Sequence, residues 1–136
     1  MIDSDTQKRL TVVAQELGQK THGQIAVVTV ESLGGLPIER YALGLFNKWA
    51  IGHNDDKRGL LILLATSDHQ WRIETGRGLE VLLPNERVGR IGDKMRPDLQ
   101  RRDYSMAVLK TASEIATIVA ADRKLTLTAV DPRSEP

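Results

Sequence analysis

Two adjacent aspartates, Asp55 and Asp56, stand in a polar loop, and Glu80 follows a turn bracketed by glycines, Gly76-Arg77-Gly78. Carboxylates and backbone carbonyls are the ligands that a hard cation such as Ca²⁺ or Mg²⁺ prefers. The three acids are distant in sequence, so they can cooperate only if the fold brings their loops together. Arg77 carries a positive charge into the same turn, where it could contact an anion or stabilise charge developing on a phosphoryl group. Each residue also has a plainer role. Asp55 and Asp56 suit a solvated turn, Glu80 suits a helix N-terminus, and the glycines suit backbone angles that side chains resist. Gly76-x-Gly78 has no third glycine, so it is not a dinucleotide fingerprint.

The elements that would position these residues follow from periodicity. Ser4-Asp5-Thr6-Gln7 has capping-box spacing, and Leu10, Val13, Ala14 and Leu17 continue at helical spacing, which predicts a helix over 5–20. Residues 24–30 (QIAVVTV) are a β-branched apolar run, predicted as a buried strand. Pro37 suits a helix start, with Tyr41, Ala42, Leu45, Phe46 and Trp49 as the apolar face. Residues 59–65 (GLLILLA) read as a central strand covered on both faces. Residues 71–75 alternate, as a half-solvated strand paired through a short hairpin would. Asn85 is placed to cap a helix over 86–95 that Pro97 interrupts, and Asp103 or Ser105 to cap the last helix. The run 125–130 (LTLTAV) alternates weakly, as a fourth, edge strand would. The order predicts a three-layer α/β/α sandwich on a small mixed sheet, two strands parallel and one antiparallel.

This topology makes the loop 53–58 and the turn 76–80 converge at one end of the sheet, bringing Asp55 and Asp56 toward Glu80. That end is opposite the carboxyl ends of the parallel strands, where open α/β sheets usually bind ligands.

The chain has 136 residues and a net charge of +1, enough for one domain and too little positive charge to argue for nucleic acid. Cysteine is absent, which excludes disulfides and thiolate metal sites. No organic cofactor motif is present. No apolar run is long enough to span a membrane and no signal peptide is visible. His22, His53 and His69 fall in three separate loops without metal-ligand spacing. Lys94, Arg96, Arg101 and Arg102 form a modest basic patch, read as a solvated helix face or a surface toward anionic lipid.

The stretch 71–84 (WRIETGRGLEVLLP), with Gly89-Arg90-Ile91 and Pro97-x-Leu99-x-x-x-Asp103-Tyr104 after it, resembles the TPM domain family. Residues 23–30 and Trp49-Ala50-Ile51-Gly52 extend the likeness, which covers about residues 3–125 and leaves 126–136 as a tail or linker. The resemblance implies the same α/β/α fold. It implies divalent-cation binding near these loops, with Asp103, at the family's Gly-Asp-Tyr aspartate, closing a group with Asp55, Asp56 and Glu80. It also implies an accessory or interaction domain on the extracytoplasmic face of a membrane, assisting membrane protein complexes, as relatives do in photosystem II repair and receptor modulation. The alternative it implies is a metal-dependent phosphatase acting on phosphate esters, the activity assigned to a plant member. Relatives often carry a signal peptide before the domain and a transmembrane helix after it, so the chain reads as an excised domain or a member without these flanks.

Four positions depart from the family pattern. Lys57 stands where relatives have Asp, Arg77 where they have an aromatic, Asn85 where they have Asp, and Arg102 where they have Gly. Each change removes negative charge or adds positive charge, which disfavours a cation and favours an anion such as phosphate.

Overall fold

A computed structural model describes residues 2–51, 57–125 and 127 of the chain. The order is α1 (Ser4–Thr21), β1 (Gln24–Val30), α2 (Ile38–Lys48), β2 (Gly59–Ala65), β3 (Gln70–Thr75), a 3-10 turn (Arg77–Leu79), α3 (Asn85–Asp93), α4 (Arg96–Gln100) and α5 (Tyr104–Asp122). The sheet runs β1-β2-β3, with β1 parallel and β3 antiparallel to β2. This is the predicted mixed sheet with helices on both faces. Asp55 and Asp56 lie outside the described residues, as does most of the run 125–130 expected to add a strand.

Every residue of β2 is buried, as its unbroken apolar sequence demands. Its alternate side chains feed two cores. Leu60 and Ile62 pack with Val13 and Leu17 of α1, Val88 and Ile91 of α3, and Ile115 and Val119 of α5. Leu61, Leu63 and Ala65 pack on the other face against Ile38 and Ala42 of α2.

Three local expectations are corrected. Asp3, not Ser4, caps α1: it sits in extended backbone and accepts from the Thr6 N–H at 2.7 Å, while Ser4 is already helical. The hydrogen bonds from Thr6 hold the Asp3 carboxyl below its ordinary value. Asn85 is the first residue of α3 rather than its cap; Pro84 holds that place in extended backbone, without a side-chain hydrogen bond. Trp49 ends α2 and is 50% exposed instead of joining the apolar face.

α1 and α5 lie side by side in the same direction. At one end the Asp3 N–H donates to Ser105 Oγ at 2.9 Å. At the other end Leu17 and Val119 meet around Gly23, and Arg58 approaches Asp122. That second end is where β1 and β2 begin and β3 finishes. It is the end predicted to gather the chemistry.

Candidate functional site

β3 runs out of the sheet into the glycine turn, which folds back on the approach to β2. The Gly76 N–H donates to Gly59 O at 2.7 Å, and the Gly78 N–H to Lys57 O at 2.9 Å. These bonds stitch the turn against residues 57–59. The turn and the C-terminal half of α2 then enclose a groove of about 590 Å³. Leu43, Phe46, Ala50 and Ile51 supply its apolar side, and Lys57, Glu74, Arg77 and Glu80 its charged side. Half-exposed Trp49 and fully exposed Val81 flank it, next in the chain to Ala50 and Glu80.

The charges in this groove are unequal in availability. Glu74 is held by Arg72, Nε to Oε2 at 3.2 Å. Lys57, Arg77 and Glu80 have no ion-pair partner among the described residues, and all three are exposed. Among the described residues, the charge left outside ion pairs in the groove's lining is two cations against one carboxylate. Lys57 takes a left-handed φ of 53°, a conformation that aspartate adopts more readily than lysine. Arg102, at the family's glycine position, likewise has φ 59°.

The expected cation cluster is only partly assembled. Glu80 is at the predicted end. The Gly76 and Arg77 carbonyls already accept from the Leu79 and Glu80 N–H groups at 3.0 and 3.3 Å. Asp103 caps α5, accepting from the Met106 N–H at 3.1 Å. It stands at the start of the 19-residue helix whose last residue, Asp122, meets Arg58. A helix of that length rises about 28 Å, so Asp103 is at the far end of the sheet from Glu80. The chain carries it there: α3 climbs back along β3, its Gly92 abutting Trp71 near the start of that strand. Among the described residues no three acidic or histidine side chains converge to hold a metal ion. One carboxylate beside two cations does not fit Ca²⁺ or Mg²⁺, and a complete donor set would need Asp55 and Asp56.

Two charged residues are more deeply placed than the sequence suggested. Asp98 is 2% exposed, ion-paired with Arg101 and with Lys110 at 3.5 Å, and ties α4 to α5. Arg58 is 6% exposed, on the side of the sheet opposite Lys57. Its Nη1 is 3.8 Å from Asp122, while Nε and Nη2 are buried without a hydrogen-bond partner among the described residues. The alternation of β2 could have revealed this: residue 58 shares the inward face of Leu60 and Ile62. A buried cation so thinly compensated costs more in lost hydration than its pairing returns. Arg58→Met is accordingly expected to leave stability equal or to raise it by about 1 kcal/mol, read from urea unfolding midpoints. A clear loss would show that the guanidinium is fully compensated.

The basic patch is largely neutralised. Lys94 pairs with Glu114 at 3.0 Å, Arg96 with Asp93 at 3.6 Å, and Arg101 with Asp98. Among the described residues no helix is long and apolar enough to cross a membrane.

Comparison with known proteins agrees with the fold. The N-terminal domain of a protein from P. gingivalis superimposes with a TM-score of 0.83 at 24% identity, over 93% of this chain and 81% of that one. The BA42 protein of Bizionia argentinensis gives 0.75 at 13% identity, over 96% and 93%. The N-terminal domain of the cg2496 protein of Corynebacterium glutamicum gives 0.65 at 17%, over 85% and 72%. No similar sequence is found among curated proteins. The TPM domain family matches residues 1–118, most of the chain, and this protein belongs to that family.

Proposed function

We propose that this domain is an accessory binding module of a membrane-associated assembly, working on the extracytoplasmic side, and that its partner engages the groove between α2, β3 and the glycine turn. The observation that carries the reading is the groove itself: an apolar side from α2 facing two cations without an ion-pair partner among the described residues, with Leu43, Trp49 and Val81 exposed around it. Exposed apolar groups beside fixed charges are what a protein-binding surface requires. The extracytoplasmic location and the membrane complex as partner rest on the family resemblance. A fitting partner presents apolar side chains together with an acidic or phosphate group.

A phosphatase acting on phosphate esters is the second reading, and one observation favours it. Lys57 and Arg77 line the same groove and can take a phosphoryl group between them. A catalytic step would also need a nucleophile or general base beside that position. The chemistry of a bound Ca²⁺ or Mg²⁺ would be polarisation of the phosphoryl oxygen, with Glu80, Asp55 and Asp56 as its ligands. That cation reading requires saturable Ca²⁺-dependent amide shifts confined to residues 57–59 and 76–80. Silence at millimolar Ca²⁺ and Mg²⁺ removes it.

The anion side is tested with an aryl phosphate as probe. Arg77→Ala is expected to weaken its binding about tenfold, or ~1.4 kcal/mol, in a titration followed by amide shifts. Equal affinity in the variant would place the anion elsewhere.

A further inference from the structure

Glu74 and Glu80 both line the groove, and Glu74 is the one that a neighbouring cation holds. The Arg72 Nε–H donates to Glu74 Oε2 at 3.2 Å. Arg72 and Glu74 are two residues apart in β3, so their side chains leave the same face of the sheet. They stand opposite Leu63 and Leu61 in the register, on the side that α2 covers. Glu74 lines the groove, while Arg72 lies outside its lining.

The pair sits partly in water, with the Arg72 side chain 39% exposed and that of Glu74 19%. Such a pair contributes little to stability, because water solvates both groups and salt screens them. What it fixes is the place of the Glu74 charge. Held by Arg72, the carboxylate is turned to a partner outside the lining and largely neutralised. Released, it would share the groove with Lys57 and Arg77. A carboxylate tethered there competes with any incoming anion, and dilution does not remove it.

We propose that Arg72 is a positioning residue for anion recognition: it holds Glu74 away from Lys57 and Arg77 and so leaves those cations to an acidic or phosphate group of the partner. The inference rests on the groove taking an anion, as proposed above. It adds that a residue outside the groove sets part of the preference for that charge. Arg72 acts through Glu74 and not by attracting the ligand. The two modes separate in a double-mutant cycle. An effect exerted through Glu74 vanishes once residue 74 carries no charge, whereas direct attraction of the ligand persists.

The test is titration of the full chain with phenyl phosphate, followed by the amide shifts of residues 57–59 and 76–80. The unmodified chain is compared with Arg72→Gln, Glu74→Gln and the double variant. Arg72→Gln is expected to weaken binding about fivefold, the effect of one uncompensated negative charge in a part-solvated groove. In the Glu74→Gln background the same change should alter affinity by less than about twofold. Arg72→Lys, which keeps a cation beside Glu74, should bind within about twofold of the unmodified chain. Should Arg72→Gln not fold, Glu74→Gln decides: binding at least as tight as that of the unmodified chain supports the proposal, and weaker binding overturns it. Unchanged affinity in a folded Arg72→Gln would overturn it as well. So would an equal loss in both backgrounds, which would mean that Arg72 attracts the ligand directly. No binding by the unmodified chain would remove the anion reading of the groove, and this proposal with it.

Discussion

Gly92→Ala is expected to destabilise the domain by roughly 2–3 kcal/mol, although alanine is the better helix former. Gly92 lies within α3, where the exchange alone would favour the variant by about 1 kcal/mol. Its position decides the sign. A Cβ there would stand 2.2 Å from Cη2 and 2.3 Å from Cζ3 of Trp71. The indole is rigid, so relief requires the ring to leave the core packing or α3 to move away from β3. Gly89, one turn earlier in the same helix, has nothing within 4 Å of such a Cβ. Gly89→Ala is therefore expected to stabilise by about 0.5–1 kcal/mol. Urea unfolding of the two variants, with tryptophan fluorescence reporting the ring, compares them directly. A Gly92→Ala protein as stable as Gly89→Ala would show that α3 does not seat on Trp71.

Gly76→Ala is expected to cost about 3 kcal/mol and to open the groove, because the obstacle is backbone. The added Cβ would lie 2.6 Å from Lys57 O and 3.3 Å from Gly59 O. Gly76 has φ −77°, so its need for glycine is one of close approach and not of backbone angle. The only relief is to separate the turn from residues 57–59, which breaks the Gly76 and Gly78 hydrogen bonds described above. Unfolding midpoints report the loss. Amide shifts concentrated at 57–59 and 76–80 would report the opened groove, and a variant with the original stability and spectrum would contradict the geometry.

The glycine turn was legible in the sequence as a structural necessity and as the place where loops converge. The two-faced burial of β2 was legible too, since seven residues without a polar side chain can only sit in the middle of a sandwich. Cap positions were less so: Asp3 and Ser4 are both good caps, and the choice rests on where the chain first turns helical. Asp103 illustrates a larger gap. Its motif pointed to the acidic cluster, but its location depends on the return path of α3 and α4, which local periodicity does not encode. Arg58 and Lys57 are adjacent cations at the start of β2, alike in composition and opposite in burial. Only the alternation of β2, carried one residue backward, puts the arginine inside and the lysine in the groove.

The central claim is that the groove binds without catalysing. The most direct measurement is to add an aryl phosphate ester to the full chain, with and without Ca²⁺ and Mg²⁺, and follow amide shifts and phosphate release together. The account predicts shifts at Lys57 and residues 76–80 with no release above the uncatalysed rate. Metal-dependent release that disappears in a folded Glu80→Ala variant would contradict it and establish the hydrolase.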